Sequence, residues 1–250
     1  MKRLVHAALA IILAASLSAA GQTPAQAPAP AKESKAVAGS AANSAAAQVF
    51  DLLPIVPPPP AQDSEATKAE LAELHQIEQT RTPAQVAAAL ADNGEEDMFI
   101  YRTVLGDKFR PEDLPLTAAL SKYVNSEVIA ADNPLKAAFK RPRPYQADPT
   151  LHPACPATDK PTSYPSGHSF VGYLQAFTLI EMIPEKRDEI LKRADDYAHN
   201  RMVCGVHYRS DTVTSHELAY AVFGYMMSLP QFQTELAAAR AETRKRLGLN

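Results

Sequence analysis

The chain has 250 residues, of which 46% are hydrophobic and 21% charged, which is enough to bury the core of one ordinary domain. Its 21 prolines and 9 glycines exclude a collagen-like repeat, and its two cysteines are too few for a disulfide scaffold. The formal net charge of −3 argues against a general nucleic-acid binder, so any anion site must be local.

Residues 1–20 have the pattern of a secretory signal peptide. Two basic residues precede an apolar run over 4–17, and small residues at 18–20 offer a cleavage site. A membrane anchor is the alternative, which the short apolar run and the missing stop-transfer pattern disfavour. We therefore predict a periplasmic or secreted protein. In that oxidising compartment one disulfide between Cys155 and Cys204 is expected, with two buried free thiols as the alternative.

Residues 21–49 are mostly Ala, Pro, Gln, Ser and Lys, with almost nothing to bury, so we expect a disordered spacer. The proline run at 57–60 favours an extended polyproline segment. Four apolar residues precede this run and indicate that it lies on the folded body. These residues are Leu52, Leu53, Ile55 and Val56. The folded domain is predicted to comprise residues 50–250.

From Ser64 onward the apolar periodicity is helical. Thr82 and Pro83 have the residue types of an N-cap and a first helical position. Helices are predicted over about 64–79, from 82 onward, and over about 114–131, 166–182, 184–201, 211–229 and 230–247, with a loop over 145–164. No stretch alternates like a strand, so the predicted fold is all-α, a compact helical bundle.

The first segment with chemical character contains Lys136 and Arg143. They are seven residues apart, two helical turns, and would share a face if the helix reached that far. Pro142 and Pro144 forbid a regular helix at Arg143 and hold it on an ordered turn. The alternative is a solvated basic helix end.

The second segment, Pro165 to His168, stands directly before an apolar helical run. Backbone N–H groups at a helix start bind anions, and Gly167 permits close approach to the backbone. The alternative is a plain N-cap, with Ser166 capping the helix and His168 exposed.

The third segment contains Arg201, His207 and Asp211. Arg201 is a planar donor suited to phosphate, His207 is a titratable nucleophile or base, and Asp211 has the chemistry to orient that imidazole. Taken singly, a surface Arg, a core His and an N-capping Asp are the alternatives.

Together the segments form the ordered pattern K-x6-R-P, P-S-G-H and R-x5-H-x3-D. This pattern resembles the phosphatidic acid phosphatase type 2 superfamily, and more narrowly the class A bacterial non-specific acid phosphatases. The narrower resemblance extends from the proline run at 57–60 to the C-terminal helix. The spacing selects Arg143 over Arg141, because only Arg143 lies seven residues after Lys136.

The resemblance implies a bundle of the phosphatidic acid phosphatase type 2 and vanadium haloperoxidase type. It implies that His207 attacks phosphorus to form a phosphohistidine, that Asp211 holds His207, and that His168 protonates the leaving alcohol. It assigns phosphate binding to Lys136, Arg143, Ser166, Gly167 and Arg201. Cations and a helix N-terminus can compensate the phosphoryl charge, and no metal-binding motif stands out, so no metal or other cofactor is expected.

The chain departs from the family pattern at two places. Asn200 stands where the superfamily usually has Ser, which affects a secondary phosphate hydrogen bond. The run after Asp211 differs from the class A pattern, and its His216 has no family role. We treat four further histidines as structural or surface residues, namely His75, His152, His199 and His216.

The leading hypothesis is a secreted phosphatase acting on small-molecule phosphate monoesters, with phosphotransfer to alcohols left open. The alternatives are a vanadate-dependent haloperoxidase and a non-catalytic phosphate-binding protein. An integral lipid phosphatase is disfavoured because the best later apolar run, 218–229, is too short to span a membrane. We expect no nucleic-acid partner and no stable membrane association after signal cleavage, and homo-oligomerisation is left open.

Overall fold

The computed structural model describes residues 51–249, and within this range all regular secondary structure is helical. This confirms the predicted all-α class. The predicted signal peptide at 1–20 and spacer at 21–49 lie outside the described residues. None of the described helices combines the length and apolar character needed to cross a membrane.

Nine α-helices occur within the described range, some of them a single turn. They are α1 (Glu65–Thr80), α2 (Pro83–Asn93), α3 (Arg102–Leu105), α4 (Pro115–Phe139), α5 (Pro144–Ala147), α6 (Gly167–Met182), α7 (Arg187–Val203), α8 (Arg209–Met226) and α9 (Pro230–Leu247). Short 3-10 turns cover Met98–Tyr101, Pro111–Asp113 and Pro184–Lys186.

Side-chain caps fix three of the helix starts. Ser64 accepts a hydrogen bond from the backbone N–H of Thr67 at 3.2 Å, and Thr82 forms a reciprocal capping box with Gln85. Ser166 caps α6 in the same way. The starts predicted from these residues are therefore observed.

Helix α4 is longer than predicted, because it continues past Ala131 and through Pro134 to Phe139. Pro134 removes one backbone hydrogen bond, but the buried face continues beyond it with Leu135, and Phe139 packs edge-on against Tyr164. The helix ends at Lys140, whose left-handed φ of 46° closes the last turn. The extra turns place Lys136 on a rigid helix.

Helix α6 lies at the centre of the bundle and packs against α4, α7, α8 and α9. Every residue from 169 to 179 is buried, as expected for a helix that is covered on all sides. A Cβ at Gly172 would lie 2.7 Å from Tyr197, so glycine permits the close contact with α7. This packing fixes the N-terminal end of α6, where the P-S-G-H segment lies.

The proline run lies on the folded body, as predicted. Leu52 and Val56 belong to the core, and the Pro57 carbonyl accepts a hydrogen bond from the Tyr164 hydroxyl at 2.7 Å. Leu53 and Ile55 are exposed, so only half of the flanking apolar residues are buried.

Candidate active site

The three predicted segments meet around the ring of His207, which is 2% exposed. Its Nδ1 lies 3.2 Å from Oδ2 of Asp211, and its Nε2 lies 3.1 Å from Nη1 of Arg143. The charges of Lys136, Arg201 and His168 also act on this ring. The predicted set is thus brought together by the fold.

The partners of His207 define its tautomer. The Asp211 carboxylate accepts a hydrogen bond, so Nδ1 carries the proton, whereas the Arg143 guanidinium only donates, so Nε2 keeps its lone pair. Burial, followed by the positive charges of Arg143 and Arg201, holds the pKa of His207 well below its usual value. His207 is therefore a neutral imidazole whose lone pair faces a cation.

Asp211 is fully buried and accepts hydrogen bonds from three groups besides His207. These are the Tyr208 backbone N–H at 2.9 Å, the Ser163 hydroxyl at 2.6 Å and Nη1 of Arg141 at 2.6 Å. Burial raises the pKa of Asp211 to about 6, and Arg141 is the strongest influence in the opposite direction. Asp211 thus both caps the first turn of α8 and fixes the imidazole.

Arg141 belongs to the site although the motif spacing selected Arg143 in its place. Its Nη2 donates to Glu70 of α1 at 2.8 Å, its Nη1 reaches Ser210 as well as Asp211, and its guanidinium lies 3.8 Å above the Tyr208 ring. The structure therefore places Arg143 against His207 and Arg141 behind it, against Asp211. No local sequence signal marks this role, because Glu70 comes from a distant helix.

Arg143 and Arg201 each have an unused hydrogen-bond donor within the described residues. Arg201 is buried and donates to the Asn93 side chain at 2.9 Å, and Arg143 donates to the Val206 carbonyl at 2.9 Å. The Nε atoms of both arginines are buried and have no hydrogen-bond partner within the described residues. Because buried donors are normally satisfied, this pair suits an anion placed between them. Burial lowers the pKa of Arg201 to about 10, which leaves it cationic at neutral pH.

Lys136, Ser166 and Gly167 form the adjoining wall. The Lys136 ammonium lies 3.2 Å from Oδ2 of Asp132 and donates to the Pro165 carbonyl. A Cβ at Gly167 would lie 3.0 Å from Oδ2 of Asp132, so glycine lets the start of α6 approach the carboxylate that pairs with Lys136. The buried Ser166 hydroxyl caps α6, and the free N–H groups of this helix start add positive potential.

His168 has different partners from His207. Its Nδ1 lies 2.9 Å from Oε1 of Glu96, its Nε2 lies 3.3 Å from the Asn93 carbonyl, and its ring stacks on Tyr197. Both polar neighbours are acceptors, so a ring with a proton on each nitrogen satisfies them best. His168 thus faces two acceptors, whereas His207 faces one acceptor and one donor.

A disulfide joins Cys155 to Cys204 across 49 residues of sequence, which confirms the predicted pairing over the free-thiol alternative. Beside it, the Ala154 backbone N–H donates to the Cys204 carbonyl at 2.9 Å. Arg81 adds a second link, because its guanidinium donates to the carbonyls of both Val203 and His152. These contacts pin the long loop to the turn that precedes His207.

The remaining residues named in the sequence analysis make contacts with residues other than His207. Asn200 donates to Asp92 at 2.7 Å. His216 stacks on Tyr173, with ring centroids 3.9 Å apart. His75 and His152 contact nearby carboxylates, and His199 is exposed on α7. Within residues 51–249, no group of three or more His, Cys, Asp or Glu side chains is arranged to hold a metal ion.

Comparisons with known proteins place this site in context. A family profile described as the PAP2 superfamily matches residues 114–235, which include all three motifs. A non-specific acid phosphatase of Salmonella typhimurium is 32% identical over 163 residues, covering 62% of this chain and 64% of the relative. A non-specific acid phosphatase of Providencia stuartii is 30% identical over 173 residues, covering 67% of each chain. The match thus spans just under two thirds of the Salmonella relative's length.

Proposed function

Because this chain belongs to the PAP2 superfamily, among the non-specific acid phosphatases, we propose that it hydrolyses phosphate monoesters through a phosphohistidine on His207. The observation that carries the proposal is a pair of arginines whose charges act on the buried His207 ring, namely Arg143, 3.1 Å from its Nε2, and the buried Arg201. Within the described residues the buried Nε donor of each arginine has no hydrogen-bond partner, and together the two donors fit a bound phosphoryl group.

Binding rests on charge compensation. The phosphoryl oxygens take hydrogen bonds from Arg143, Arg201 and the N–H groups at the start of α6, and Lys136 exchanges its Pro165 contact for a phosphate oxygen. Phosphoryl transfer needs positioning and stabilisation of the equatorial oxygens above all, and this cluster of cations supplies both.

In the first chemical step, Nε2 of His207 forms a bond to phosphorus while the bond from phosphorus to the ester oxygen breaks. The leaving oxygen takes the proton from Nε2 of His168, and Asp211 stabilises the positive charge that develops on His207. In the second step, His168 accepts a proton from a water molecule as that water attacks the phosphohistidine. Phosphate leaves, and both histidines return to their starting protonation states.

The substrates we propose are small monoesters, with phosphotransfer to alcohols when an alcohol replaces water in the second step. We further propose that the helical domain comprises residues 50–250 and that the protein is periplasmic or secreted, which rests on the signal pattern at 1–20. The relatives named acid phosphatases favour this chemistry over a vanadate-dependent haloperoxidase. Bromide oxidation with added vanadate distinguishes the two.

A substrate panel tests the proposal. The purified mature protein should release phosphate from aryl, nucleoside and sugar monophosphates at acid to neutral pH. His207→Ala should abolish turnover. The matched control is His152→Ala, which should stay active because the exposed His152 side chain contacts Glu78 and not His207. A folded wild-type protein without phosphatase activity, or near-normal kcat in His207→Ala, would contradict the proposal.

A further inference from the structure

Glu96 contacts the proton donor although no sequence motif includes it. It lies between α2 and the 3-10 turn that starts at Met98, and its Oε1 is 2.9 Å from Nδ1 of His168. The Glu96 side chain is 48% exposed, so this carboxylate lies at the open side of the ring. The contact joins residues 72 positions apart in the sequence.

The two hydrogen bonds of His168 differ in length. The bond to Glu96 has an ordinary length, whereas the 3.3 Å bond from Nε2 to the Asn93 carbonyl is long. A leaving-group oxygen can therefore replace the Asn93 carbonyl at Nε2 at small cost, while Glu96 keeps hold of Nδ1. The Nε2 proton of His168 then faces the leaving-group oxygen, and the Nδ1 proton stays in its hydrogen bond to Glu96.

The chain around Glu96 is held in place from several sides. Asp92 pairs with Arg193 at 2.6 Å, the Asn93 side chain accepts from Arg201, and the Glu96 carbonyl accepts from Asn125 at 3.2 Å. The Glu95 carbonyl also accepts a hydrogen bond from the Tyr197 hydroxyl. The backbone beside Glu96 is thus fixed by contacts that do not depend on its carboxylate.

Charged groups from three elements surround this pair. Lys136 of α4 and Arg201 of α7 act on Glu96, and His207, just before α8, is affected by the charge of His168. The hydrogen bond from His168 is the largest of the influences that lower the pKa of Glu96. Glu96 is therefore ionised at mildly acid pH and is the anion in direct contact with the His168 ring.

We propose that Glu96 is the positioning residue of the general acid, holding His168 protonated and turning its Nε2 towards the leaving oxygen. This inference rests on the proposed function. It predicts that Glu96 matters most for poor leaving groups, because a good leaving group departs without a proton. It also predicts that the phosphate-binding residues continue to work when the Glu96 carboxylate is removed.

The test compares Glu96→Gln with wild type on an alkyl phosphate and on 4-nitrophenyl phosphate. We expect kcat/KM, which reports the step that releases the alcohol, to fall at least about tenfold more for the alkyl ester than for the aryl ester. The alkaline limb of the alkyl profile should move to lower pH. In a His168→Ala background the same substitution should cost almost nothing further. The matched control is Glu95→Gln, whose carboxylate pairs with Arg102 instead and which should keep wild-type ratios.

Equal losses of kcat/KM for both esters, or an unmoved alkaline limb, would overturn the inference. As a readout that does not need turnover, the His168 ring resonances, identified by their loss in His168→Ala, should titrate at lower pH in Glu96→Gln than in wild type. An unchanged titration would also overturn it. If wild type and His168→Ala show the expected leaving-group dependence while Glu96→Gln matches the control, only this inference fails. If wild type hydrolyses no monoester, the proposed function fails.

Discussion

Replacing Arg141 with methionine should destabilise the protein by about 3–5 kcal/mol, the range for breaking a buried ion pair on one side. The substitution keeps much of the side-chain volume but leaves the fully buried Asp211 without its cation. At 2.6 Å and an effective dielectric constant of about 20, that attraction alone is roughly 6 kcal/mol, which the desolvation of the guanidinium partly offsets. Glu70 loses its partner as well.

The pH dependence has a definite sign. Burial already raises the pKa of Asp211 to about 6, and without Arg141 it should rise further. A carboxyl group whose folded pKa exceeds its unfolded value stabilises the fold at low pH and loses that contribution as pH rises through the folded pKa. The deficit of Arg141→Met should therefore be large at neutral pH and smaller in acid. The acid limb of kcat should move to higher pH, because Asp211 must be ionised to support His207.

Urea unfolding of wild type and variant at neutral and acid pH measures the deficit. Arg209→Met is the matched control, because Arg209 forms an exposed ion pair with Glu73 and should lose less than about 1 kcal/mol. A loss in Arg141→Met no larger than in the control, or one that does not shrink in acid, would refute this explanation of how Asp211 is held.

Three further outcomes are expected. His168→Ala should lower kcat/KM roughly 100-fold or more for alkyl phosphates and much less for 4-nitrophenyl phosphate, and it should weaken the alkaline limb. Equal losses of kcat/KM and an intact bell-shaped profile would remove His168 as the general acid. Replacing Cys155 and Cys204 with alanine should lower the free energy of unfolding by at most about 4 kcal/mol, because the disulfide closes a 49-residue loop and so limits the entropy of the unfolded chain. A urea midpoint that the substitutions leave unchanged would contradict this. Activity should survive EDTA, and a complete loss restored by one divalent ion would indicate a metal-dependent mechanism.

Local sequence patterns predicted the features of the fold that depend on residues close together in the chain. The caps at Ser64 and Thr82 and both ends of α9 were predictable, because the signals lie within a few residues of the structure that they define. The motif residues were predictable for a related reason, since spacing and residue type place each on a helix end or turn. The predicted end of α4 at about residue 131 is wrong because the buried face of the helix continues through Pro134 to Leu135.

Contacts between distant parts of the chain were not predictable. Arg141 meets Glu70 and His168 meets Glu96 across more than seventy residues, and neither carboxylate lies in a motif. Their positions follow from how α1 and the end of α2 pack on the bundle, which no periodicity encodes. The same is true of Asn93, whose side chain holds Arg201. Sequence patterns thus predicted the residues that meet around His207, including Asp211, but not Glu70, Glu96 and Asn93, which contact them from other parts of the chain.

Trapping the intermediate tests the central claim most directly. Wild-type protein should be quenched in base during turnover of a labelled phosphate monoester, because phosphohistidine survives in base, and then digested for mass spectrometry. The label should be found on His207, and it should be absent from His207→Ala, which keeps Arg143 and Arg201 and should still bind phosphate. Label on another residue, or equal labelling of wild type and His207→Ala, would contradict a phosphohistidine at this position.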